Sequence, residues 1–153
     1  MTILYWIALI TIVIDQLVKY MIRNFIGYGQ TIPVINGFFH LTSHRNTGAA
    51  WGIFAGQKLF LISIAFIAII AIIIYSRKVT DKLTRAALGF FIGGAAGNVA
   101  DRLLFGEVTD MFDLRFINYP IFNTADVFLF TGVILLLIST YRESKSEKIN
   151  PSN

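Results

Sequence analysis

The 153-residue chain is 56% hydrophobic and only 14% charged, too apolar for an ordinary soluble domain of that size and suited to one small membrane-embedded bundle. Its net charge of +4 comes from short basic clusters rather than a continuous tract, which argues against a nucleic-acid partner. The lack of cysteine excludes disulfides, a thiolate metal site and a cysteine nucleophile.

Four segments are read as membrane helices, at about 3–23, 59–75, 86–104 and 124–141. The first, in MTILYWIALITIVIDQLVKY, has no basic n-region and runs into Asp-Gln rather than a cleavage site, so a retained helix is expected. Asp15 and Lys19 lie four apart on one face of it, where they can pair.

The stretch 24–58 is expected outside the membrane, with Pro33 and Gly37 as punctuation and FFHLTSH as a strand. HRNTGAAWGIF follows, its Asn-Thr-Gly reading as a turn beside Arg45 and Asn46. The second helix carries no charge and reads as lipid-facing wall. In the third, Gly93 and Gly97 form a small-xxx-small pair that lets another helix come close. Asn98, Asp101 and Arg102 follow on neighbouring parts of its surface and should point into the bundle.

GEVTDMFDLRFI reads as a strand beginning at a Gly106 turn. Two-residue alternation puts Val108, Asp110, Phe112, Leu114 and Phe116 on one face, and Thr109, Met111, Asp113, Arg115 and Ile117 on the other. Asp113 can pair with Arg115, whereas Asp110 is the sole charge in an apolar row, a position that raises a carboxyl pKa. Pro120 then ends the strand, Asn123 stands at a helix N-cap, and Asp126 three residues later fits the acid of a capping box. A frayed polar tail is expected over 142–153.

The basic loop 76–85 and the tail favour the cytoplasm for both termini, and the aromatic residues fall into two belts, Tyr5, Trp6, Tyr75 and Tyr141 against Tyr20, Tyr28, Trp51 and Tyr119. Asp101, Asp110 and Asp126 then gather at the outer boundary, beside an external cap formed by 24–58 and 105–122. Carboxylates are costly at membrane depth, so such acids are functional candidates by default.

In order along the chain, DQLVK, HRNTGAAWGIF, GGAAGNVADR, the Asp of GEVTDMF and FNTAD resemble the signature blocks of lipoprotein signal peptidase, the bacterial signal peptidase II. Met111 and Val127 are small departures from that pattern. The resemblance implies a single peptidase domain over 1–153, an α-helical membrane protein with four transmembrane helices and a small external β-cradle. It implies an aspartic endopeptidase of the bacterial cytoplasmic membrane that cleaves prolipoproteins on the N-terminal side of a diacylglyceryl-modified cysteine. The family's catalytic aspartates fall on Asp110 and Asp126, and Asp15, Asn46, Asn98, Arg102 and Asn123 match its pocket positions. No metal or cofactor is implied; membrane lipids are partners, and globomycin is the expected inhibitor.

Two other classes fit parts of the pattern. A transporter or channel subunit would spread its acids through the bilayer depth, and a protease of the presenilin or prepilin-peptidase kind would carry Gly-x-Gly-Asp, which this chain lacks.

Overall fold

The computed structural model describes residues 2–117 and 119–149, with side chains described through 145. Four long helices and a three-stranded sheet alternate along the chain. Helix α1 is Thr2–Phe25, followed by strands β1 (Thr31–Ile35) and β2 (Phe39–Asn46) and a single 3₁₀ turn, Ala50–Gly52. Helix α2 is Lys58–Ser76, α3 is Lys82–Phe105, β3 is Val108–Leu114 and α4 is Thr124–Ile149. The connections put the C-terminal ends of α1 and α3 and the N-terminal ends of α2 and α4 at the sheet.

Three of the four expected spans, α1, α2 and α4, are long and apolar enough to cross a membrane. Helix α3 is as long as α1, at 24 residues, but more polar. The reason is its position: it packs against α1, α2 and α4, so its polar side chains meet protein rather than lipid. The glycines of GGAAGN make this possible. A Cβ at Gly93 would collide with the Thr11 side chain of α1, one at Gly97 would run into the Asp15 carboxylate, and one at Gly94 would sit 2.6 Å from the Ala125 carbonyl of α4. Close helix approach on two sides therefore accounts for these small residues.

Local chemistry sets the helix ends. Asp81 caps α3, its carboxylate accepting the Thr84 N–H at 2.7 Å, and that backbone bond is the main reason its pKa lies below the usual carboxylate range. Gly106 ends α3 in the left-handed region at φ 86°. Helix α4 runs on to Ile149, past the end expected for the membrane span at 141, so the tail expected to fray is helical as far as described; 150–153 lie outside the described residues.

The sheet is antiparallel in the order β1-β2-β3. Strand β2 is the expected one. Strand β1 is an addition to the sequence reading, hidden there by Pro33, which is tolerated because β1 is an edge strand with no further ladder to donate to. Strand β3 stops at Leu114, short of the expected Ile117, and both of its faces meet protein: Met111, fully buried, packs on Ile22 and Ile26, while Asp110 faces a cavity. Apolar clusters hold the two ends of the bundle, Leu4, Ala8, Val79, Leu88 and Ile92 at one and Ile22, Ile26 and Met111 at the other. Between them the α1–α3 contact carries the buried polar groups Asp15, Lys19 and Asp101.

Candidate active site

The sheet and the start of α4 are joined through one residue. Phe122 accepts the N–H groups of Met111 and Phe112 on its carbonyl, at 2.9 and 2.8 Å, and donates its own N–H to the Phe112 carbonyl at 3.2 Å. This isolated bridge locks Asn123 and the first turn of α4 beside Asp110. Asn123 then acts in two directions. Its Oδ1 accepts the Asp126 N–H, and the Asp126 carboxylate accepts the Asn123 N–H, each at 3.1 Å, the reciprocal bonds of a capping box. Its Nδ2 donates to Asp110 Oδ1 at 2.6 Å. One N-cap residue thus ties both acids together.

Each carboxylate has a second amide donor. Asn46 Nδ2, at the end of β2, donates to Asp110 Oδ2 at 2.9 Å, and its Oδ1 accepts the Gly48 N–H. Asn98 Nδ2, on α3, donates to Asp126 Oδ1 at 3.0 Å. Arg102 is held by donating from Nη2 to the Gly48 carbonyl at 2.8 Å, and its buried Nε has no partner among the described residues. These six side chains, Asn46, Asn98, Arg102, Asp110, Asn123 and Asp126, line one cavity of about 310 Å³ whose wall also includes Tyr119, Leu129 and Phe130. A second, apolar cavity of about 280 Å³, with Leu114, Ile117, Phe122 and Val127 in its wall, also reaches Asp126.

Asp110 is only 2% exposed. Burial pushes its pKa up to about 6, against the hydrogen bonds from Asn123 and Asn46, and the neighbouring Asp126 charge adds to the rise. The lone acid of the apolar row is therefore perturbed in the expected direction.

Of the seven residues singled out by the family pattern, six share this cavity and one does not. Asp15 lies outside it, fully buried and paired with Lys19 at 2.9 Å, because its turn of α1 packs on Gly97 of α3. Asp113 is outside as well, accepting from Thr42 at 2.9 Å and Arg115 at 2.7 Å. Asp101 braces the strand from below: its Oδ2 accepts the Thr109 N–H at 2.9 Å, next to Asp110, and its Oδ1 accepts from Arg23 and Gln16. Sequence reading misses Arg23 and the Thr109 hydroxyl, which accepts from both Arg23 and Arg45 at 3.0 and 2.8 Å. Arg23 stands in the last turn of α1, an ordinary place for a basic residue, so nothing local marks it.

The family model described as signal peptidase (SPase) II matches residues 7–142. The lipoprotein signal peptidase of Bacillus subtilis (strain 168) is 45% identical over 148 residues, covering 94% of this chain and 96% of the relative. That of Brevibacillus brevis is 42% identical over 146 residues, covering 94% and 98%. A solved bacterial membrane enzyme structure, determined by the in meso method, superposes with a TM-score of 0.86 at 37% identity, covering 93% of this chain and 89% of the other. A match across nearly the whole length, in sequence and in fold, means that this chain belongs to the signal peptidase II family.

Proposed function

We propose that the chain is an aspartic endopeptidase that removes signal peptides from prolipoproteins on the N-terminal side of a diacylglyceryl-modified cysteine, with Asp110 and Asp126 activating the attacking water. The observation that carries this reading is the shared cavity in which Asn123 bonds to both acids. Two carboxylates facing one space do not readily ionise together, so the pair holds one proton between them over a range of pH. The ionised partner takes a proton from water as it attacks the scissile carbonyl. The protonated partner gives its proton to the carbonyl oxygen or, on collapse, to the leaving amine. Their titrations are coupled, and roles are assigned to the pair rather than to either acid alone.

Arg102, with its buried Nε turned to no described partner, stabilises the developing oxyanion or holds a substrate carbonyl. Asn46 and Asn98 keep the carboxylates in place and line the path of an extended peptide. The apolar second cavity beside Asp126 suits an apolar part of the substrate. In this reading α3 crosses the membrane as a fourth span, its polar face covered by its neighbours. Both termini lie in the cytoplasm, and the sheet end, with the cavity, stands at the outer leaflet of the bacterial inner membrane. The basic residues Arg77, Lys78, Lys82 and Arg85, at the end away from the sheet, support that orientation.

The test is reconstitution of Asp110→Asn and Asp126→Asn with a diacylglyceryl-modified prolipoprotein and with the same substrate unmodified. Wild type is expected to cleave only the modified substrate and to be blocked by globomycin, and both variants are expected to be folded and inactive. A folded variant cleaving at near wild-type rate sinks the paired-acid mechanism.

A further inference from the structure

Lys19 is the buried cation that the mechanism above does not use. Its side chain is 0% exposed, and it lies outside the cavity, so it touches no substrate there. Nζ stands 2.9 Å from Asp15 Oδ2 and 3.7 Å from Asp101 Oδ2, and it donates to Asn98 Oδ1 at 2.9 Å. Burying an ammonium with its counterions is a poor way to gain stability, since apolar residues of similar volume commonly do as well or better. The bond to Asn98 is the part of the arrangement that reaches Asp126 by hydrogen bonds, while the ammonium charge also acts through space on Asp110, against the rise in its pKa.

A carboxamide has two ends of nearly equal shape and opposite hydrogen-bonding character. An ammonium can only donate, so the Asn98 end facing α1 must be its oxygen. The nitrogen is thereby turned to α4, where it donates to Asp126 Oδ1. Along this path, from Lys19 through Asn98 to Asp126, each hydrogen bond points outward from the ammonium toward the carboxylate. Asn98 Oδ1 also accepts the second hydrogen of Asn123 Nδ2, at a longer 3.2 Å, so two donors hold this oxygen and the charged one is the nearer. Without the lysine, the Asn98 oxygen keeps only the longer bond from Asn123, and the amide is held less firmly with its nitrogen toward Asp126.

We infer that Lys19 is a positioning residue for the Asp110/Asp126 pair: it fixes the direction of the Asn98 amide and so the donor that meets Asp126. This rests on the proteolytic reading above, and it concerns kcat rather than substrate binding.

The experiment is a double-mutant cycle on the full chain in lipid-containing micelles, with the diacylglyceryl-modified prolipoprotein as substrate. Asp15→Asn is combined with Lys19→Met so that this ion pair is removed as a unit, and Asp15→Asn alone is the reference. Relative to it, the combined variant should lose kcat by roughly tenfold or more, the scale of a hydrogen bond to a charged group, with KM changed less than about twofold. Adding Asn98→Ala to the combined variant should give a rate no lower than Asn98→Ala alone, because the lysine acts through that amide. Losses that multiply, or an unchanged kcat in the combined variant, overturn the inference. Asn98→Leu keeps the shape of the amide and offers no hydrogen to Asp126, so it should be as impaired as Asn98→Ala; near wild-type activity in it also overturns the inference, and this arm does not depend on the lysine variant folding. Asp110→Asn and Asp126→Asn are run alongside: if they cleave, the paired-acid reading has failed, and if they are dead while the cycle is additive, only the role of Lys19 has failed.

Discussion

Replacing Asp110 by asparagine should abolish cleavage and stabilise the fold, and the stabilisation should depend on pH in a defined way. A carboxyl raised to about 6 in the folded chain, against 3.8 for the ordinary group, penalises the ionised folded state by about 3 kcal/mol. Below about pH 4 both folded and unfolded chains hold the proton and the penalty is absent. Between the two pKa values the unfolded chain releases its proton first, so the fold loses stability as pH rises, and above about pH 6 the loss is complete. The neutral amide in the Asp110→Asn variant has no charge to desolvate and escapes the penalty. Thermal unfolding of both proteins in the same detergent from about pH 4 to about pH 8 should show curves that coincide near the acid end and separate by several degrees at the alkaline end, with the variant higher. A separation that does not change with pH, or a variant less stable than wild type at the alkaline end, refutes burial as the dominant influence on this acid. Lost activity paired with gained stability is what the proposed catalytic role entails for a carboxylate buried at a cost.

Three other substitutions separate neighbouring roles. Asn123→Ser keeps a helix cap but cannot reach Asp110, so the unfolding temperature should stay close to wild type while kcat falls roughly tenfold or more; equal activity would show that the amide bridge is dispensable. Gly94→Ala puts a methyl 2.6 Å from the Ala125 carbonyl, forcing α3 and α4 apart at the turn that carries Asp126, and should cost about 1–3 kcal/mol in denaturant unfolding together with activity. Asp113→Asn alters only the Thr42 and Arg115 contacts, so it should keep most cleavage activity in the same assay that finds Asp110→Asn inactive.

Much of the architecture is a matter of local pattern. An uninterrupted apolar run such as that of α2 can satisfy its backbone in lipid only as a helix, and the alternation through β3 places Asp110 and Met111 on opposite faces whatever the rest of the chain does. The capping relation of Asn123 and Asp126 spans three residues and is likewise legible. The family blocks also carry the six cavity residues in order, but together with Asp15, which the structure leaves outside the cavity. Orientation of the bundle can be argued only from loop charges and aromatic belts, and Pro33 conceals β1 because edge position is not a local property.

What the amino-acid sequence determined by itself, then, is which segments are helical or extended and which side chains stand together within a few residues: Asp15 with Lys19, Asp113 with Arg115, Asn123 with Asp126. The tertiary structure alone decided which of these pairs border the cavity. Asp15 and Lys19 do not line it, while Asn46 and Asp110, 64 positions apart, share a hydrogen bond within it. The physical reason is range. Periodicity and capping act over a turn of chain, whereas the partner of a buried polar group is chosen by how closely helices approach; the spacing of Gly93 and Gly97 shows that a helix comes close, but not that α1 meets these two and α4 meets Gly94.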